Sequence, residues 1–161
     1  MYRLDAAPFE QRYAFLVDGR RRTPWELREL ARKAAGIDVR VEFCFCEPAL
    51  RGVPVVSEPL RFDGLEQQLE SIARAALNGD QMVHVDHAGD RLMVALWMFD
   101  ERDRFVEWYR RRMNAPQGTF ANALNALGDE RCRQKLATAV GYRLAPIPFD
   151  RRLNRIESAS P

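Results

Sequence analysis

Lysine, cysteine, histidine and serine are all scarce in this chain, and each scarcity narrows its chemistry. Only Lys33 and Lys135 are lysine, so 23 of the 25 cationic residues are arginine. There are three cysteines, an odd number, and two of them, Cys44 and Cys46, are two positions apart. On a strand they would share a face but be poorly placed to bridge each other. No disulfide framework is expected, and a reducing cytoplasm is the simplest setting. The histidines are His84 and His87, with no paired-histidine zinc motif. Ser57, Ser71, Ser158 and Ser160 are the only serines, so a serine nucleophile has few places to sit. Glycine-rich phosphate loops, a dinucleotide fingerprint, a nucleophile elbow and a Cys-x-x-Cys pair are all missing. The longest apolar run, Leu92 to Phe99, is strand-length and far short of the roughly 18 to 20 residues of a membrane helix. The first residues lack a basic segment leading into an apolar one, so a secretory leader is not expected.

The 161 residues are 47% hydrophobic, 30% charged and 10% aromatic, the make-up of one globular domain. The formal net charge of +2 gives no global electrostatic case for nucleic acid. Arginine carries the planar fork that suits carboxylate and phosphate. Its abundance, with that of alanine, also fits a GC-rich bacterial genome.

Residues 11–18 read as a strand closed by Asp18-Gly19. Thr23-Pro24-Trp25-Glu26 is a helix start, with Thr as cap, Pro at the first helical position and Glu completing a capping box. Leu27, Leu30, Ala31 and Ala34 share one helix face, and Gly36 stops the helix. Asp38 to Cys46 alternates. Val39, Val41, Phe43 and Phe45 form one face, and Arg40, Glu42, Cys44 and Cys46 the other, which predicts a half-buried strand. Residues 53–62 read as an irregular edge strand because of Pro54 and Pro59. Asp63-Gly-Leu-Glu66 predicts a capped helix with Leu65, Leu69, Ile72, Ala73 and Ala76 inward.

Residues 81–99 predict a hairpin around a Gly89-Asp90 turn, pairing His87 with Leu92, Asp86 with Met93 and His84 with Ala95. Val83, Val85, His87, Leu92, Val94, Leu96 and Met98 then share one face. His84, Asp86, Arg91, Met93, Ala95 and Trp97 share the other. Asp100 is read as the cap of a third helix carrying Phe105, Trp108, Tyr109 and Arg112 on one side. Thr119 caps a short helix, and Gly128-Asp129 opens a last one. The expected fold is α+β, a mixed or antiparallel sheet of four to five strands in β-α-β-β-α-β-β order. This is a split βαββαβ-like sandwich with helices on one face, followed by three C-terminal helices. Residues 1–143 form the domain, and 144–161 read as a C-terminal tail or arm.

Two groups of residues suggest chemistry. If the 38–46 and 82–88 strands are neighbours, Cys44, Cys46, His84 and Asp86 share one face. Thiolate, imidazole and carboxylate suit zinc, and a Cys–His pair suits a thiolate nucleophile. The alternative is two small buried cysteines beside a polar strand end. The arginine clusters Arg20–Arg22, Arg110–Arg112 and Arg151-Arg152 are the second group. Trp25, Trp108 and Tyr109 lie near two of them, as a single-strand binder would need.

From Thr23 to Met113, the order helix, two strands, helix, hairpin, helix resembles that of type III secretion chaperones. That resemblance implies a small dimeric protein that binds effector segments, although the basic balance here departs from the acidic character usual there. The size and plain motif content also resemble bacterial toxin-immunity proteins. Both are likenesses of fold and size. The leading expectation is a non-catalytic protein-binding module, chaperone-, adaptor- or immunity-like. It would use the hairpin face of His84, Asp86, Arg91, Met93 and Trp97, with Arg91 and Trp97 as anchors. No cofactor is expected, and the partner is a protein or a second copy of the chain. The alternative is a small enzyme, or a metal or small-ligand binder, using Cys44, Cys46, His84 and Asp86. An arginine-mediated nucleic-acid binder ranks third on net charge.

Overall fold

A computed structural model describes residues 15–17, 19–45, 60–61 and 63–148. It is α+β, with a three-stranded mixed sheet and a separate two-stranded ribbon among the described residues.

The ribbon pairs β1, Phe15–Val17, antiparallel with β2, Arg20–Arg22. Gly19 sits in the turn between them at φ +70°, where a side chain would be strained. A turn at Gly19 was expected, whereas β2 was not. The next helix, α1 (Pro24–Ala35), follows its sequence signals closely. Thr23 Oγ1 accepts from the Glu26 N–H at 3.2 Å, and Glu26 Oε2 accepts from the Thr23 N–H at 2.7 Å. Gly36 ends the helix at φ +61°.

The expected strand over 38–46 is not formed. Val39–Cys44 is a 3-10 helix, and Asp38 caps it by accepting from the Arg40 N–H at 3.1 Å. The alternating pattern fails because both of its classes of residue are buried. Val39 and Phe43 enter the core, and so do Arg40 and Glu42, each neutralised by ion pairs. The order of elements behind the chaperone resemblance is therefore broken at this point. Most of the expected 53–62 strand lies outside the described residues, and Leu60 and Arg61 are not in a strand.

The helix after Asp63, α2 (Leu65–Leu77), buries Leu69, Ala73, Ala76 and Leu77. Its cap differs from expectation. Gly64 takes the capping position in a left-handed conformation, with no side-chain capping bond. Glu66 reaches instead to Arg40.

The hairpin is real but shorter and shifted. Strand β3 (Val83–Asp86) pairs antiparallel with β4 (Arg91–Ala95), His84 opposite Met93 and Asp86 opposite Arg91. The turn is a four-residue loop, His87 to Asp90. Asp86 Oδ1 accepts from the Gly89 N–H at 3.0 Å, and Asp86 Oδ2 accepts from Arg91 Nε at 2.9 Å. A Cβ on Gly89 would lie 2.7 Å from both partners of that ion pair. The shift moves each strand by one residue in opposite senses, so side chains keep their expected faces. Val83, Leu92 and Val94 are buried, while His84 is exposed and Met93 half-buried.

The second arm of the hairpin stops at Ala95. Leu96–Asp100 is a short helix, α3, so Asp100 lies inside a helix and caps none. A strand would send Trp97 and Met98 to opposite faces, whereas a helical turn brings both inward. Met98 is fully buried, and Trp97 meets Phe43 edge-on at 5.1 Å between ring centroids. Helix α4 (Arg102–Met113) supplies buried Phe105 and Trp108. Helix α5 (Phe120–Leu127) opens with a Thr119–Asn122 capping box, and Phe120 packs edge-on against Phe105 at 5.5 Å. Helix α6 (Glu130–Ala137) is capped by Asp129, which accepts from the Cys132 N–H.

Leu144 to Ile147, assigned to an arm by the sequence, belong to strand β5, Arg143–Ile147. It lies parallel to β4, and the sheet order is β3-β4-β5. Residues 149–161 lie outside the described residues. Lys135 Nζ donates to the carbonyl of Val83 at 3.1 Å and to Asp80 at 2.8 Å, occupying one acceptor on edge strand β3. Among the described residues no helix is long and apolar enough to cross a membrane.

Candidate functional site

One face of the sheet carries Val83, Leu92 and Val94 and is closed by the helices. The register places Ala95 and Ile147, both buried, on the other, together with an accessible set of His84, Asp86, Arg91, Met93, Arg143 and Ala145. His84 and Arg143 are exposed, and the remaining four are half-buried. Arg91 is held by Asp86 rather than left loose. Hydrogen bonds from Arg91 and from the Gly89 N–H keep the Asp86 carboxyl below the usual carboxylate value. The surface is therefore a small, ordered patch with one methionine near its middle. Four of its members, His84, Asp86, Arg91 and Met93, follow from hairpin alternation. Trp97, the expected anchor, is absent from it, because α3 has turned that side chain into the core. Arg143 and Ala145 were missed, since nothing in their spacing predicts a third strand.

The Cys–His constellation does not assemble as the sequence suggested. It requires residues 38–46 to be a strand beside 82–88. Instead Cys44 ends a 3-10 helix outside the sheet, and β3 pairs with β4. Cys46 lies outside the described residues. Burial pushes the Cys44 thiol up to about 11, with the charges of Asp38 and Glu42 adding to the effect. A thiol so protonated is a poor nucleophile at neutral pH. Cys132 is buried and its thiol is likewise raised by burial. No group of three or more His, Cys, Asp or Glu among the described residues is placed to hold a metal ion.

The arginine clusters have varied surroundings. Arg20 and Arg21 are exposed on β2. Arg110–Arg112 fill the last turn of α4, where cations complement the helix dipole. Trp108 beneath them is buried, with Arg112 over its ring at 5.9 Å, so it offers no stacking platform for bases.

A groove of about 530 Å³ lies between α5, α6, the 138–142 turn and the sheet. Its lining is mostly apolar and includes Leu92, Phe120, Leu136 and Leu144, with Asn125 and Arg133 as polar members. Val140 at its edge is 83% exposed. His87 Nδ1 lies 3.0 Å from the hydroxyl of Tyr142, another lining residue.

The most elaborate polar arrangement was invisible in the sequence. The Glu42 side chain is 0% exposed, and three arginines from two helices converge on it. Arg32 Nε donates to Oε1 at 2.6 Å and Arg104 Nη1 donates to the same oxygen at 2.8 Å. Arg28 and Arg32 donate to Oε2 at 3.2 and 3.0 Å through their Nη2 atoms. Glu101 joins by accepting from Arg32 and Arg104. Burial works to raise the Glu42 carboxyl, but the hydrogen bonds from Arg32 and Arg104 and the charges of Arg32 and Arg28 hold it below the usual value. The four-residue spacing of Arg28 and Arg32 is the one sequence signal that points here, since it sets both on one side of α1. The cluster ties α1 to the 3-10 helix and to α4.

Comparison with protein-family models, with curated proteins and with solved structures returns no match.

Proposed function

We propose that this chain is a non-catalytic protein-binding module of a reducing compartment such as the cytoplasm, chaperone-, adaptor- or immunity-like in role. Its partner engages the sheet face of His84, Asp86, Arg91, Met93, Arg143 and Ala145. The observation that carries this reading is the make-up of that face, a half-buried methionine ringed by an oriented Arg91–Asp86 pair and two exposed cationic or polar side chains. Methionine adapts its shape to a partner surface, and arginine is among the residues enriched at binding hot spots. The free thiols of Cys44 and Cys132 suit a reducing compartment. Met93 and Arg91 replace the expected Arg91 and Trp97 as anchors.

The test is affinity capture from the native cell with the full chain and a Met93→Asp variant. Met93 is half-buried on an open face, so the variant is expected to keep its circular dichroism spectrum and lose its specific partner. Equal recovery by a folded variant refutes the role of this face.

A second reading, a binder of small apolar ligands, is favoured by the groove beside Leu136. It predicts saturable binding of a fluorescent apolar probe, abolished by Leu92→Asp at the groove floor and unaffected by Met93→Asp.

A further inference from the structure

Helix α1 is amphipathic in sequence but docks through its charged side. Successive residues lie about 100° apart around a helix, so the stripe of Leu27, Leu30, Ala31 and Ala34 is centred roughly 115° from the side of Arg28, Arg32 and Ala35. It is Arg28 and Arg32 that meet Glu42 of the 3-10 helix, and Arg28 also lies over the Phe45 ring at 5.6 Å. The apolar stripe is only partly covered: Leu27 and Ala31 are half-buried, and none of its four residues is fully buried. Leu30 is 41% exposed, Ala34 is exposed, and no described side chain of α1 is fully buried. A helix that bears such a stripe ordinarily buries it.

The charges beside the stripe say what fits it. Glu26 and Lys33 are seven residues apart on the same flank, and both are exposed. Neither forms an ion pair among the described residues. In an antiparallel pair of helices related by a two-fold axis, equal flanks face each other and the chain order reverses. Glu26 of one copy then faces Lys33 of the other, twice over, with Leu30 near the axis. In a parallel two-fold pair opposite flanks face each other, so Glu26 and Lys33 of one copy would not meet those of the other. The stripe and its flank are thus self-complementary in one orientation only.

From this juxtaposition we infer that α1 is a homodimerisation surface, docking antiparallel on α1 of a second copy through Leu27, Leu30, Ala31 and Ala34. One face of a three-turn helix from each copy is a small contact, so a weak association is expected, with a Kd of roughly 10 µM to 1 mM, equivalent to about 4–7 kcal/mol. It is separate from the sheet face and does not rest on the function proposed for that face.

Sedimentation of the full chain over about 5 µM to 1 mM tests it, a range set by that expected Kd. The wild type should move from monomer toward twice the monomer mass. Leu30→Glu should raise the dissociation constant by on the order of 100-fold, because each dimer loses two apolar contacts and buries two charges. Lys33→Glu should raise it by about tenfold, more at low salt, by setting acids opposite Glu26. Both positions are exposed, so circular dichroism should show both variants folded, and Met93→Asp should dimerise as the wild type does. A wild type that stays monomeric, or a Leu30→Glu chain that associates equally well, overturns the inference. Unchanged association of Lys33→Glu overturns the antiparallel pairing.

Discussion

Replacing Glu42 by Gln keeps the shape of the side chain and removes the charge on which three guanidinium groups converge. The carboxylate accepts five N–H contacts, from Arg28, Arg32 and Arg104. A glutamine carbonyl satisfies about two of them, and its amide turns two donors toward other donors. Removing one member of a buried ion pair costs about 3–5 kcal/mol. The three arginine side chains remain 19–28% exposed, so they can rehydrate, which favours the lower end. We expect a loss of about 3 kcal/mol, a large part of the roughly 5–15 kcal/mol that stabilises an ordinary domain. Urea unfolding at pH 7, followed by tryptophan fluorescence, measures it, and the melting temperature should fall by about 6–12 °C. Glu101→Gln is the control. Its side chain is 29% exposed, so it should cost less than about 1 kcal/mol. A Glu42→Gln loss below about 1 kcal/mol would refute the claim that this carboxylate holds α1, the 3-10 helix and α4 together.

The same residue makes a pH prediction with a definite sign. The folded carboxyl titrates below its unfolded value of about 4.3. Its contribution is complete above that unfolded value and is lost as pH falls through the folded one. The stability difference between wild type and Glu42→Gln should be flat from about pH 7 to 5.5 and shrink below about pH 4.5. A difference that grows on acidification would contradict the assignment.

Two further outcomes are expected. Thr119→Ala should cost about 1 kcal/mol by opening the α5 capping box, whereas Asp63→Ala should leave the thermal melt unchanged because Gly64 occupies that helix start. In a Cys46→Ser background at pH 8, a thiol reagent should label Cys44 and Cys132 slowly in the native chain and at once in denaturant. Rapid native labelling would contradict the protonated state of the half-buried Cys44 and buried Cys132 thiols.

What could be read from the sequence was local. Thr23 with Glu26 and Thr119 with its apolar run place two helix starts, because a cap is a contact between residues three apart. The hairpin faces survive a shift in register because a displacement of one residue on each strand preserves their parity. The turn itself was misread because Asp86 satisfies the Gly89 N–H and the Arg91 guanidinium together, a side-chain preference that outweighs the two-residue turn. Strand β5 was missed for a different reason. A parallel strand is defined by its neighbour, and Arg-Leu-Ala-Pro-Ile has neither strict alternation nor an unbroken apolar run.

The Val39–Cys44 segment shows why the candidate site was harder to read than the fold. Alternation predicts a strand only if the polar class of residues faces water. Arg40 and Glu42 do not, and much of what permits their burial lies far away in the chain, at Glu66 beside local Asp38 for Arg40 and at Arg28, Arg32 and Arg104 for Glu42. Long-range charge pairing leaves almost no periodic trace, so the pattern mimics a strand. That one substitution of element removes Cys44 from the sheet, and with it the strand adjacency on which the metal and thiolate readings rested. It also explains the orientation of α1. With a buried carboxylate as its docking point, the helix is held by Arg28 and Arg32, and its leucine stripe cannot face the same way. The abundance of arginine, which composition alone attributes to codon usage, thus has a structural use here: planar, permanently charged forks let several cations share one buried carboxylate. Lysine at positions 28, 32 and 104 would keep the charge but lose the paired Nε and Nη contacts of Arg28 and Arg32 that fix the helix in this orientation.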